Sequence, residues 1–223
     1  MAKGVFCDFY GTLVHEDGEV IRQICQEIAR TSSSKSLSEI GGYWWGVFKA
    51  AFTNSFGEFF QTQRELETEA LRRTIHHFGS RADAASLVPQ MFAHWRQPPA
   101  FEDAKAFFQQ CPVPVYIVSN IDREDVEAAI AFHGFTPAGV FTSQDARAYK
   151  PRKELFELAL ESTGLEPGNV VHIGDSLSSD VQGARNMGLE AIWLNRNGLA
   201  VPQGVRAVGS LQEALQTPAL QGK

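Results

Sequence analysis

Cysteine is scarce in this 223-residue chain: the three present, Cys7, Cys25 and Cys111, are odd in number and far apart. That excludes a disulfide framework and a cysteine zinc site, and it fits free thiols in a reducing cytosol. No apolar stretch reaches the roughly 20 residues needed to cross a bilayer, and the N-terminus runs straight into a strand pattern with no signal-peptide h-region. The expectation is therefore a cytoplasmic protein without membrane contact. Basic residues are in deficit, 20 Lys and Arg against 26 Asp and Glu, for a net charge of -6. A nucleic-acid partner would call for a basic stripe, so none is expected. Internal repeats and low-complexity tracts are missing too. What remains, with 43% hydrophobic residues, is a globular chain long enough for one sizeable domain and an inserted subdomain. Its oligomeric state, monomer or homodimer, is not readable from periodicity.

Strand patterns occur at Gly4–Cys7, Val113–Val118, Gly139–Thr142, Val170–Ile173 and Ala191–Leu194, with a weaker one at Arg206–Val208. Helical patterns alternate with them: Asp122–His133 stops at Gly134, Arg152–Thr163 stops at Gly164, and Ser178–Met187 stops at Gly188. Strands alternating with helices predict an α/β fold, a Rossmann-like, doubly wound parallel sheet with helices on both faces. Ligands in such sheets bind beyond the carboxyl ends of the strands, where strand order reverses. Residues 15–97 differ. Val20–Arg30, Tyr43–Phe56, Phe59–Phe78 and Ala84–Trp95 read as four helices, and Pro98-Pro99 marks the return to the core. The predicted organisation is a core of residues 1–14 and 98–223 with a helical insertion at 15–97.

The chemistry gathers at the predicted strand ends. Val5-Phe6-Cys7 runs into Asp8-Phe9-Tyr10-Gly11-Thr12-Leu13, a buried strand delivering a carboxylate to a sheet edge through a glycine turn. Cys7 beside it points to the core side of its strand. Val115–Val118 ends in Ser119-Asn120, Lys150-Pro151 opens the 152–163 helix, and Val170–Ile173 ends in Gly174-Asp175, with Asp180 following. In this order the four segments resemble the motifs of the haloacid dehalogenase (HAD) superfamily, whose first reads Asp-x-Asp-Gly-Thr-Leu and whose fourth reads Gly-Asp-x-x-x-x-Asp. The resemblance covers 1–14 and roughly 99–200, and it makes the inserted helices a cap that closes over the site and sets substrate choice.

The resemblance implies a catalytic set of Asp8, Tyr10, Thr12, Ser119, Asn120 and Lys150. Asp8 is the nucleophile, since a carboxylate can accept a phosphoryl group as an aspartyl-phosphate. Lys150 neutralises Asp8 and the transferring group; Ser119, Asn120 and Thr12 donate to phosphate oxygens. Asp8, Asp175 and Asp180 would repel one another without a cation. The resemblance puts Mg²⁺ on the Asp8 side chain, the backbone carbonyl of Tyr10 and Asp175, with Asp180 direct or through water.

Tyr10 departs from the phosphatase pattern, where a second Asp protonates the leaving oxygen. A phenol of pKa about 10 is a poor base near neutrality. Asp-x-Tyr-Gly-Thr-Leu is instead similar to the first motif of 2-haloacid dehalogenases, in which halide leaves without a general acid and no metal is needed. Those enzymes carry Ser-Asn in the fourth motif, where this chain has Gly174-Asp175. They also carry a cap arginine for the halide and a tyrosine after the lysine, where this chain has Ser38-Glu39-Ile40 and Phe156. The expectation is a Mg²⁺-dependent hydrolase of a small phosphorylated metabolite. The alternatives are a 2-haloacid dehalogenase, or a metal-site binding protein of little turnover; in the first two readings the partner is a small anionic substrate.

Overall fold

The computed structural model describes residues 2–221. Strand β1 (Gly4–Cys7) is fully buried, and its alternation divides the molecule. Val5 and Cys7 face one apolar cluster and Phe6 faces another, all three wholly shielded from solvent. A buried Phe is worth about 1.5–3 kcal/mol over an exposed one. A slip of one residue would exchange the two faces and carry Asp8 off the strand end, so packing fixes the position of that carboxylate.

Helices α1 (Gly18–Thr31), α2 (Leu37–Asn54), α3 (Gln63–His77) and α4 (Ala84–Arg96) follow β1. α1 packs on α2 and α4, and α3 packs on α2 and α4, closing a four-helix bundle. Two boundaries differ from the sequence reading. α2 begins at Leu37 because Ser36 caps it, accepting from the Glu39 amide. α3 begins at Gln63 because Thr62 and Glu65 form a capping box, which leaves Gly57–Phe59 as a separate 3-10 turn. The chain returns through α5 (Ala104–Gln110) to β2 (Val115–Ser119), α6 (Arg123–His133), β3 (Gly139–Thr142), α7 (Ser143–Ala146) and α8 (Lys153–Thr163). Next come β4 (Val170–Gly174), the helical stretch 177–186, β5 (Glu190–Leu194), β6 (Arg206–Val208), α10 (Leu211–Leu215) and α11 (Pro218–Gln221), α9 (Gly183–Asn186) being the end of that stretch.

The six strands form one parallel sheet in the order β3-β2-β1-β4-β5-β6, so the fold is α/β as the alternation predicts. Order reverses at β1 and β4, which places the crevice beyond Cys7 and Gly174. α4 also packs against α6, joining the bundle to the sheet domain. No helix among the described residues is long and apolar enough to cross a membrane.

Candidate active site

The turn after β1 wraps tightly: the amides of Leu13 and Val14 both donate to Phe9 O, and Gly11 N donates to Val14 O. Gly11 sits at φ 82, and a Cβ there would lie 2.5 Å from Asp175 Oδ2. Only glycine lets this turn press against the fourth-motif acid. At the end of β4, a Cβ on Gly174 would meet Asp180 at 2.2 Å. Asp180 comes from a π-helical stretch, Leu177–Gln182, that turns α-helical over α9. The regular helix expected over Ser178–Met187 is thus widened where the acid must reach back toward the strand.

Lys150 is buried at the centre. Its Nζ donates to Asp8 Oδ1 at 2.8 Å, Asp180 Oδ1 at 2.6 Å and Val118 O at 2.8 Å. Burial opposes its charge, but Asp180 and Asp8 outweigh that and hold it protonated. It does not open a helix as expected: a cis bond joins it to Pro151 and α8 starts at Lys153. Asn120 fixes it from below, taking Lys150 N on Oδ1 at 2.7 Å and giving Nδ2 to Lys150 O at 3.1 Å. Asn120 therefore braces Lys150 with the amide that the sequence reading assigns to substrate phosphate.

Around Asp8, Ser119 Oγ donates to Oδ1 at 3.2 Å and Thr12 Oγ1 to Oδ2 at 3.3 Å. Burial, with Asp180 adding to it, raises the Asp8 pKa against the pull of Lys150. Asp180 is already satisfied by protein: Lys150 and His172 Nε2 (2.9 Å) share Oδ1, and Ser176 N donates to Oδ2 at 3.0 Å. Burial alone would raise it, yet Lys150 and His172 hold it well below the usual carboxylate range. Asp175 is the contrast. Thr12 Oγ1, at 3.4 Å, is its one side-chain donor among the described residues, and burial, then Asp8 and Asp180, push its pKa to about 8.

Ligand oxygens of Asp8, Asp175 and Asp180 all lie within 4.8 Å of one another. One lysine serves Asp8 and Asp180, and Asp175 is left without a counter-charge. A hard divalent cation with oxygen ligands, such as Mg²⁺, fits that deficit. Asp8, Asp175 and the Tyr10 carbonyl would hold it, with Asp180 behind them, its oxygens already engaged.

Tyr10 is placed differently from an acid–base group. Its hydroxyl donates to Trp95 O at 2.6 Å, and burial, then Asp125 and Asp17, push the phenol well above its ordinary pKa. Cys7 is equally disqualified as a nucleophile, because burial and Asp8 raise its thiol.

Three supports have no signal in the sequence. Arg196 donates to Thr12 O at 2.9 Å while paired with Asp103, and Trp193 Nε1 donates to Asp175 O at 2.7 Å. Asp122 stands at the start of α6, as the helical pattern has it, but its side chain serves α3, taking Gln63 N at 2.9 Å and Arg64 N at 3.0 Å. The helices and strand ends enclose a cavity of about 420 Å³, lined by Asp8, Lys150 and Asp175 below and by Trp45, Lys49 and Trp95 above.

A family model for haloacid dehalogenase-like hydrolases matches residues 2–188, which takes in all four motif segments. The chain belongs to this hydrolase family. It is 24% identical over 203 residues to (S)-2-haloacid dehalogenase H-109 of Pseudomonas putida, covering 88% of this chain and 87% of that one. It is 33% identical over 105 residues to human N-acylneuraminate-9-phosphatase, covering 44% of this chain and 42% of that one. A HAD hydrolase from Bacillus subtilis, solved bound to magnesium, superposes with a TM-score of 0.75 at 18% identity, over 96% of this chain and 97% of that one. This HAD hydrolase therefore has both dehalogenases and phosphatases among its relatives.

Proposed function

We propose that this HAD hydrolase is a Mg²⁺-dependent phosphomonoesterase acting on a small phosphorylated metabolite, with Asp8 as nucleophile. The observation that carries the reading is Asp175, a carboxylate without a counter-charge beside Asp8. A cation lets Asp175 ionise beside Asp8, and a 2-haloacid, itself a carboxylate, supplies none. The magnesium in the Bacillus relative and the phosphatase among the sequence relatives support the same choice.

An Asp8 oxygen forms the bond to phosphorus as the bond to the leaving oxygen breaks, giving an aspartyl-phosphate that water then cleaves to aspartate and phosphate. Lys150 opposes the rise in the Asp8 pKa and orients its carboxylate, and Ser119 and Thr12 hold its two oxygens from either side. A cation held by Asp8, Asp175 and the Tyr10 carbonyl would offset the charge of the phosphate beside Asp8. Tyr10 commits its proton to Trp95 O, so the leaving oxygen is protonated by solvent or by Glu16. Glu16 lines the same cavity, and burial, then Asp17 and Asp8, raise its pKa. A missing general acid costs about 10²–10⁴-fold, so turnover should favour acidic leaving groups such as p-nitrophenol.

The second reading, hydrolytic dehalogenation, is favoured by Tyr10 and by the Pseudomonas relative. The deciding assay sets p-nitrophenyl phosphate against 2-chloropropionate, each with Mg²⁺ and with EDTA. Phosphate release only with Mg²⁺, lost in Asp8→Asn, is expected. Chloride release that EDTA leaves intact would overturn the proposal in favour of the second reading.

A further inference from the structure

α2 turns one stripe toward the cavity over Asp8. Trp45, Phe48, Lys49, Phe52 and Thr53 all line it, at the i, i+3, i+4, i+7, i+8 spacing of one helix face. Packing accounts for two of them: Phe48 is buried, and Phe52 lies 4.2 Å from the Tyr149 ring. It does not account for Trp45 and Lys49. Trp44, one residue earlier, is buried with Nε1 on Glu67 at 2.9 Å, whereas Trp45 is 60% exposed and rests on Phe48 at 5.8 Å. Lys49 is exposed, and its ammonium has no carboxylate partner among the described residues.

The other lysine of the cavity is not available to a substrate tail. All three donors of Lys150 are used, on Asp8, Asp180 and Val118 O. Lys49 thus holds the free cationic donors of this cavity, beside an aromatic face ready to receive a flat or apolar body. The acids Glu16 and Asp17 belong to the segment after Val14. Asp17 is engaged by Trp95 Nε1 at 2.8 Å, and Glu16 also borders the adjoining cavity with His15 and Phe101. The charge of Asp17 disfavours an anion near that segment and leaves α2 as the wall that attracts one. The volume of about 420 Å³ lies within the range of small-molecule pockets, enough for a small metabolite.

We infer that the natural substrate carries a second anionic group on its leaving portion, a carboxylate or another phosphate, held by Lys49 with the body of the molecule against Trp45. The inference rests on the phosphomonoesterase reading only for where the transferred phosphate sits. Binding tests it without turnover: the full-length Asp8→Asn protein with Mg²⁺ is titrated calorimetrically with 3-phosphoglycerate, fructose 1,6-bisphosphate, glycerol 3-phosphate and phosphoethanolamine. Either anionic-tailed ligand should bind at least tenfold tighter than glycerol 3-phosphate, and the better of the two identifies the tail. Lys49→Ala in the same background should remove most of that preference, Lys49→Arg should keep it, and Lys49→Glu should shift it toward phosphoethanolamine. Lys49 is exposed, so these variants fold. Phosphoethanolamine binding as tightly as 3-phosphoglycerate, a preference that survives Lys49→Ala, or no binding by any ligand would overturn the inference. Lys49-dependent binding without phosphate release from the unmutated enzyme would sink the phosphomonoesterase reading alone. Hydrolysis of p-nitrophenyl phosphate with no tail preference would sink this inference alone.

Discussion

Asp175→Asn should make the metal-free protein more stable while destroying its response to Mg²⁺. Asp175 has its folded-state pKa raised from 3.8 to about 8 by burial, then Asp8 and Asp180. The sign follows from proton counting. Between those values the folded state holds a proton that the unfolded chain releases, so stability falls as pH rises through the window and is flat above it. At about 1.36 kcal/mol per unit, the full shift corresponds to about 6 kcal/mol. The carboxylate is partly open to the cavity, and solvent screening brings the expected effect to about 2–3 kcal/mol. In a chain of 223 residues each kcal/mol moves the melting temperature by about 2–4 °C, so Asp175→Asn should melt about 6 °C higher in EDTA near pH 8.5. The gain should vanish near pH 4. Mg²⁺ at a hundred times its Kd should restore about 2.7 kcal/mol to the unmutated protein and little to the variant. Thermal melts across pH, with EDTA and with Mg²⁺, read both effects. A variant that melts at or below the unmutated protein at high pH, with equal Mg²⁺ shifts for both, would refute the idea that Asp175 is an uncompensated metal ligand.

Two further outcomes bear on the bundle and on Tyr10. Tyr10→Phe removes the 2.6 Å bond to Trp95 O and should cost about 1 kcal/mol of stability, with phosphate release within about threefold and its pH profile unmoved. A hundredfold loss with a changed basic limb would instead make the phenol the proton donor. Glu67 is buried between α3 and α2 with its pKa raised from 4.5 to about 8 by burial, then Asp17, against the Trp44 hydrogen bond. Glu67→Gln keeps an acceptor for Trp44, so it should stabilise the fold by about 2 kcal/mol or more at pH 8 and by almost nothing near pH 4, read as the pH dependence of the melt.

Much of the core was legible because each of its signals is local. The β1 run ending in Asp8, the Gly134 and Gly164 helix stops and the strand–helix alternation depend on neighbours in sequence, and the six strands lie where the pattern puts them. What escaped depends on contacts between distant residues. Asp122 reads as the acid opening α6, where it stands, and its hold on the first amides of α3 arises only when residues 58 and 59 positions apart meet. Arg196 on Thr12 O and Trp193 on Asp175 O are the same kind of contact. Asn120 lies at the strand end where the pattern puts it, and its amide on the Lys150 backbone is a contact that strand ends do not reveal.

The mixed character of the motifs has a physical resolution in Tyr10. Read along the chain, a dehalogenase-like first motif and a phosphatase-like fourth motif contradict each other, because both are taken as lists of reacting groups. In three dimensions Tyr10 ties the turn that carries Asp8 to the end of α4 through Trp95 O, and Trp95 Nε1 in turn holds Asp17 at the start of α1. The same position that supplies an acid in phosphatases here fastens helices α1 and α4 to the turn that carries Asp8. Only its backbone carbonyl is then needed at the reacting centre, and a carbonyl is indifferent to side-chain identity. On the phosphomonoesterase proposal, Asp175 keeps the demand for a cation, and the proton that the second acid gives in phosphatases comes from elsewhere. Such an enzyme would forfeit rate on poor leaving groups and retain its metal site, a combination that neither motif predicts alone.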